Sequence, residues 1–306
     1  MHLSARTPRD FNGVLHYKML YDRNPLLPVF ADKLSMRAFV VERLGESYLP
    51  RLIHVTQSAS EMAKSLPQSE FVVKLSNGSG SVLICTRLIS ALDSTGLDCN
   101  PRSVCLAPPD HVSKDGLERL FGAWMELPNY AWYPGRRVVE WAYSATISHL
   151  LAEELLVTEQ KQLVQDLKFF TFSGRVRFIN FISRHSTPHA GVQRQTLADL
   201  LSPNWERLGV TKEDWAPHPD LPERPRNLEN MIKAAEELSR GTDFLRVDMY
   251  DLGSRIIVGE LTNYPMAGKN TFRPASFSTV IRQMWCPTYG PLAEATMHRS
   301  ALRHHE

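Results

Sequence analysis

Two runs near the C-terminal end of the chain, FLRVDMY and RIIVGELT, constrain it more than any other feature. Side chains alternate across a strand, so Arg246, Asp248 and Tyr250 share one face of the first run, while Leu245, Val247 and Met249 point to the other. In the second run the same alternation puts Glu260 and Thr262 on one face with Val258. A turn near Leu252-Gly253-Ser254 makes the two runs antiparallel neighbours and brings Asp248 and Glu260 together. Two carboxylates a few ångströms apart repel unless a cation or a proton lies between them. Hard oxygen pairs of this kind suit Mg²⁺, which commonly arrives with substrate phosphates. The competing reading is two solvated acids on an exposed sheet face.

The runs FVVKL and SVLIC are joined by SNGSG. Asn77-Gly78 is a strong turn signal, so the spacing predicts a hairpin. The loop from Asn77 through Gly78, Ser79, Gly80 and Ser81 also has glycines that let backbone N–H groups converge on an anion, beside the fixed charge of Lys74. It is neither a Walker loop, since no GK[ST] follows, nor a dinucleotide fingerprint. Further along, HLLAEELL places Glu153 and Glu154 inside an apolar run, where charges are rare without a partner. They could meet a base or sugar, or face water at a strand end; Asp166 and Lys168 pose the same choice. The histidines of SRHSTPH, His185 and His189, lack matching ligands at metal spacing. The aromatic stretch containing Trp124, Tyr130, Trp132, Tyr133, Trp141 and Tyr143 is read as core packing.

Around these segments Asp32 caps a helix with Lys33 in its first turn and Gly45 at its end. A hairpin turns at Ser173-Gly174, and an amphipathic helix presents Leu228, Met231, Ile232, Ala235 and Leu238 on one face ahead of Gly241. Strands and helices follow one another without strict alternation, so the class is α+β. With 306 residues, 35 Lys and Arg against 33 Asp and Glu, and a net charge of +2, the chain has no field suited to nucleic acid. No apolar run approaches the roughly 20 residues of a transmembrane helix. Four scattered cysteines give no disulfide framework, and a reduced, cytoplasmic protein is expected.

The order of these signals resembles the ATP-grasp superfamily: Asp32-Lys33, then VVKLSNGSGS, then AEELL, then R-V-D and E-L-T. More narrowly, it resembles the TupA-like ATP-grasp family associated with bacterial surface polysaccharides. The segments YDRNPLLPVFADKLSMRAFVVERLG, DLKFFTFSG, RNLENMIKAAEELS and FLRVDMYDLGSRIIVGELTNYP carry that likeness, from about Phe11 to Phe277.

The resemblance implies two α+β subdomains clasping ATP. Residues 1–60 would form an N-terminal segment bearing Lys33, 61–150 a small lid subdomain, and 151–306 the subdomain with the adenine hinge and metal site. Lys33 and Lys74 would contact the phosphates under a lid formed by Asn77, Gly78, Ser79, Gly80 and Ser81. Glu153, Glu154 and Leu155 would hold adenine, partly through backbone groups, with Asp166 and Lys168 nearby, Asp166 towards the ribose. Asp248 and Glu260 would bind Mg²⁺, with Thr262 standing where many ATP-grasp enzymes have Asn, and Asn263 one place later. Arg246 would stabilise charge on the reacting carboxylate. The implied activity is an ADP-forming carboxylate–amine ligase with ATP and Mg²⁺, acting on small or glycan-linked acids and amines and associating transiently with membrane-bound polysaccharide machinery. The alternatives are a kinase on the same fold and a non-catalytic nucleotide-binding protein. About thirty residues precede Lys33, fewer than an N-terminal α/β domain needs, so no acceptor site is implied.

Overall fold

The computed structural model describes residues 8–88, 96–127, 140–160, 162–184, 196–212 and 215–291, with backbone alone at 184 and 196. Tyr130, Trp132, Tyr133, His185 and His189 lie outside the described residues. The chain opens with three helices, α1 (Phe11–Tyr21), α2 (Leu26–Ala31) and α3 (Lys33–Leu44). Asp32 caps α3 as expected, its carboxylate accepting from the Leu34 and Ser35 N–H groups, and Gly45 ends the helix.

A first sheet follows, built from β1 (Leu52–Thr56), β2 (Phe71–Leu75), β3 (Val82–Cys85), β4 (Val104–Ala107) and β5 (Leu150–Glu153). Its spatial order is β1-β5-β2-β3-β4, parallel only between β3 and β4. Helices α4 (Ala59–Ser65) and α5 (Lys114–Met125) carry Met62, Phe121 and Trp124 into one core with Val73, Leu83 and Ala152. The Asn77-Gly78 hairpin is present, with Val73 opposite Leu83 and Lys74 opposite Val82. Strands from either end of the 61–150 block, β1 and β5, complete this sheet. Cys99 and Cys105 are joined as a disulfide, with Cα atoms 5.9 Å apart, so the expectation of thiols throughout fails at this pair. The turn closed by Ser103 N–H to Asn100 carbonyl folds the chain back between them.

The second sheet is antiparallel throughout, in the order β11-β10-β6-β7-β8. Its strands are β6 (Asp166–Phe172), β7 (Arg175–Arg184), β8 (Thr196–Leu201), β10 (Phe244–Asp251) and β11 (Ile256–Thr262). The β6–β7 hairpin turns at Ser173-Gly174, both with positive φ, as read from the sequence. One face packs on α3 and on α6 (Leu228–Leu238), burying Leu228, Met231, Ala235 and Leu238 against Leu245, Val247 and Met249. Burying a Leu or Met side chain contributes about 1.5–3 kcal/mol, so the stripe on α6 is enough to dock it.

The opposite face is divided. Towards one end α1 and α7 (Phe277–Met284) cover aromatic rings, with Phe170 stacked on Phe178 at 4.4 Å and Phe244 on Trp285 at 4.5 Å. A short ribbon of β9 (Thr211–Lys212) and β12 (Phe272–Arg273) lies with them. Towards the other end the same face carries charge. Among the described residues no helix is long and apolar enough to cross a membrane.

Candidate active site

The charged end of the second sheet is built by cross-strand register. Asp248 stands directly opposite Glu260 on one side and Lys168 on the other, while Arg246 is opposite Thr262. Arg246 and Asp248 share their face with Tyr250, and Leu245, Val247 and Met249 point into the core, as alternation requires.

One expectation fails. Val258 is buried in the core with Met249 and does not share a face with Glu260. The register jumps between Asp248–Glu260 and Met249–Val258, leaving Gly259 as a bulge that restarts the alternation. A glycine is required there, because a Cβ would lie 2.6 Å from the Tyr250 ring.

The cations close around these acids. Arg246 donates through Nε to Asp248 Oδ1 at 2.6 Å, and through Nη2 to Asp248 Oδ2 at 2.7 Å and Glu260 Oε2 at 3.2 Å. Lys168 Nζ lies 2.5 Å from Asp248 Oδ2 and 3.6 Å from Asp166. Burial disfavours charge on Asp248, yet Arg246 and Lys168 more than offset it and hold the carboxyl below its ordinary range. Burial likewise opposes the Arg246 charge, and Asp248 and Glu260 overcome it. The Tyr250 hydroxyl is pushed well up by burial, then by Asp166, Asp248 and Glu260, and it hydrogen-bonds Asp166.

Lys33 joins this cluster to the first sheet. Its backbone N–H donates to the Ser76 carbonyl at 2.8 Å, and its Nζ donates to the Gly78 carbonyl at 2.7 Å while lying 3.7 Å from Glu260. Burial lowers its pKa and Lys74 adds to that, against Glu260.

The turn above Lys33 is anchored on both sides. Asn77 Nδ2 donates to Thr146 Oγ1, Ser148 Oγ donates to Asn77 Oδ1, and Ser81 Oγ donates to the Pro101 carbonyl. Gly80, at φ 88°, passes so close to the Arg102 carbonyl that a Cβ would sit 2.3 Å from it, whereas Ser79 is exposed. Gly80 is therefore fixed by packing against the backbone at Arg102.

Lys74 meets the end of β5 at Glu153. This carboxylate, 5% exposed, lies 2.8 Å from Lys74 Nζ and accepts from Arg37 Nη1 at 2.8 Å. Glu154 turns outward, where it accepts from the Arg51 N–H and from Arg255, and its pKa is lowered by these partners against its own desolvation. Both acids are thus engaged by cations. Beside them Leu155 and Glu154 line a hollow of about 290 Å³ with Leu252 and Arg255. A larger cavity of about 800 Å³ is lined by Tyr21–Pro25, Ser173, Gly174 and Arg240–Asp243 with Thr288 and Tyr289, none of them in the charged cluster.

Sequence reasoning missed Arg37, which pairs with Glu153, Asn180, which stands opposite Lys168, and Lys212, whose pKa is lowered by burial and by the nearby Arg246 and Lys168. Arg37 had a signal: it follows Lys33 by four residues and so shares its helix face. Lys212 and Asn180 had none, since nothing in the sequence places a two-residue strand or the middle of an apolar run at this site.

The donor set fits a divalent ion of the magnesium type. Asp248 and Glu260 offer opposed carboxylates, and Thr262 Oγ1 on the adjacent position is buried with no hydrogen-bond partner. Asn263, one place later, donates through Nδ2 to the Leu27 carbonyl, and its Oδ1 is likewise buried with no hydrogen-bond partner, so either residue has an oxygen to offer as a third ligand. Among the described residues no group of three or more His, Cys, Asp and Glu could hold a metal, so such an ion would take its other ligands from phosphate and water.

Two α+β layers that meet across lysines from one side and paired acids from the other have the arrangement of the ATP-grasp fold. The family described as TupA-like ATPgrasp matches residues 14–284, and the chain belongs to that family. No curated protein matches the chain. Among solved structures, it is similar to D-alanine–D-alanine ligase from Bacillus anthracis, with 15% identity over 82% of this chain and 64% of that one and a TM-score of 0.43. The ATP-grasp ligase PsnB with its minimal precursor shows 13% identity over 78% and 53%, with a TM-score of 0.38. Macrocyclase MdnC from Microcystis aeruginosa, bound to its precursor peptide, shows 13% identity over 79% and 56%, with a TM-score of 0.37. The chain therefore spans between about half and two thirds of the length of these structures.

Proposed function

We propose that the protein is an ATP-dependent carboxylate–amine ligase working through an acyl phosphate. The observation that carries this reading is the single network linking Lys33, Arg246, Lys168, Asp248 and Glu260, which joins the lid hairpin to the second sheet. A carboxylate resists attack because addition places further charge on an anion. Transfer of the terminal phosphoryl group to a carboxylate oxygen expels ADP and leaves a good leaving group on carbon. An amine nitrogen then attacks that carbon, loses a proton and releases phosphate. The protein's task is positioning and charge neutralisation.

In this reading Lys33 and Lys74 hold the phosphates, and Glu153 with Arg37 keeps Lys74 in place. Asp248 and Glu260, with the Thr262 hydroxyl beside them, hold Mg²⁺, which neutralises phosphate oxygens when bound. Arg246, already fixed against both acids, faces the carbon at which negative charge develops. The family's association with surface polysaccharides supports a uronic acid or peptide-bearing glycan as acid substrate, joined to an amino acid or peptide amine.

Calorimetry of Mg-ATP binding and hydroxylamine trapping across amino and uronic acids test this. ADP release with hydroxamate formation is expected, and Asp248→Asn or Glu260→Gln should lower turnover by about a hundredfold or more without unfolding the protein. A stable phosphomonoester product would make the enzyme a kinase. Absence of magnesium-dependent nucleotide affinity would remove the catalytic reading.

A further inference from the structure

Among the described residues Lys212 is a cation at the charged cluster with no carboxylate within ion-pair distance. It lies on β9 opposite Phe272, a member of the aromatic cluster that includes Phe170 and Phe178. Phe170 is the cross-strand neighbour of Arg246, so the ribbon places Lys212 over the border between the aromatic and charged ends of the face. The Trp215 N–H donates to the Lys212 carbonyl at 3.2 Å, and Lys212 Nζ sits 4.6 Å from the Trp215 ring centroid.

Lys33, Lys74, Lys168, Arg37 and Arg246 each have a carboxylate within ion-pair distance. Among the described residues Lys212 has none. A half-buried ammonium facing other cations is costly unless an anion joins it. The field at that point is positive: burial, then Arg246 and Lys168, bring the Lys212 pKa down to about 8 against the opposing pull of Asp248.

A second unsatisfied group lies on the same sheet face. Asn180 on β7 is the cross-strand neighbour of Lys168 and is 1% exposed, yet neither its amide nitrogen nor its oxygen has a partner. A buried amide left unpaired costs about 1–3 kcal/mol, and groups of this kind mark places where a ligand completes the hydrogen bonding.

We infer that Lys212 and Asn180, flanked by Trp215, form an anion subsite beside Arg246 that takes a carboxylate of the acid substrate. The ammonium and the amide NH₂ donate to the carboxylate oxygens, the indole walls the substrate's carbon side, and Arg246 lies next to the group that reacts. This rests on the ligase reading and gives that reading an acceptor subsite.

The test uses malonate as probe, titrated calorimetrically into the full chain already loaded with Mg-AMPPNP. Wild-type protein should bind malonate. Lys212→Met and Asn180→Leu should each weaken it by about tenfold or more, the scale of one charge-assisted hydrogen bond, and Lys212→Arg should restore binding to within about threefold. Mg-AMPPNP and Mg-ADP affinities should stay within about twofold of wild type in all variants, with unchanged melting. Loss of AMPPNP affinity alone in Lys212→Met, with ADP unaffected, would place the terminal phosphate at Lys212 and overturn the carboxylate assignment. So would malonate binding that is absent from wild type or indifferent to both substitutions. Failure of wild-type protein to bind Mg-AMPPNP would instead refute the ligase reading, and the subsite with it.

Discussion

Adjacent acids on one strand end give a sharp test of how the site is held. Glu153 is almost fully buried between Lys74 and Arg37, whose side chains are 16% and 14% exposed, whereas Glu154 faces Arg51 and Arg255, 70% and 41% exposed. Removing one member of a buried ion pair costs about 3–5 kcal/mol, because the remaining charges lose their counter-ion without regaining water. Lys74 and Arg37 keep some solvent, and glutamine retains one acceptor oxygen, so Glu153→Gln should cost about 2–3 kcal/mol. At about 2 °C per kcal/mol for a chain of this size, its melting midpoint should fall by about 4–6 °C. Glu154→Gln should cost under about 1 kcal/mol, since exposed pairs are screened. Differential scanning fluorimetry of both variants, with a double-mutant cycle through Lys74→Met, measures the contrast. A coupling of about 1.5 kcal/mol or more between positions 153 and 74 is expected. Equal melting of the two glutamine variants, or a coupling near zero, would refute the clamp. If the Glu153 carboxylate served adenine directly, its substitution would alter nucleotide affinity and leave the melting midpoint unmoved.

Asp248 titrates below its unfolded value of about 3.9, so its contribution to metal-free stability is complete above that pH and is lost as pH falls through the lower folded value. Urea midpoints between pH 7 and 3 should therefore fall more steeply for wild type than for Asp248→Asn, and equal slopes would count against the Arg246–Lys168 cage. Burial, helped by Glu70, lifts the Cys85 thiol to about 12, so iodoacetamide at pH 8 should label exposed Cys286 and spare Cys85 until the protein unfolds. Mass spectrometry showing rapid native labelling of Cys85 would contradict that burial. Gly259→Ala should destabilise by about 1–3 kcal/mol, because its methyl must displace the Tyr250 ring from a packed position. A chemical melt matching wild type would mean that the bulge relaxes freely.

The parts of the fold that were legible in the sequence are those whose signals act over a few residues. Asp32 and Gly45 bracket α3, Ser173-Gly174 closes the β6–β7 hairpin, and the apolar stripe of α6 meets the odd-numbered face of β10, each decided by local chemistry. Alternation placed Asp248 against Glu260 correctly because the register there is set directly by the strand pairing. It misplaced Val258 because a bulge inserts one residue and reverses every side chain beyond it. Nothing local to RIIVGELT announces that bulge except the glycine, whose reason is a tyrosine nine residues earlier on the neighbouring strand.

The charged cluster was legible in its acids, in Arg246 and in Lys33, Lys74 and Lys168, but not in how its charges are apportioned. Reading Glu153 as a ligand-facing acid follows from its place in an apolar run; that it neutralises Lys74 and Arg37 depends on α3 bringing Arg37 beside the end of β5, a tertiary fact. The same holds for Arg246, whose guanidinium spans both acids and offsets their mutual repulsion. Pairwise accounting of this kind is what isolates Lys212. With Lys33, Lys74, Lys168, Arg37 and Arg246 each matched to a carboxylate, the Lys212 ammonium over its indole ring and the buried Asn180 amide remain without a polar partner among the described residues, which is why an incoming anion is assigned to them.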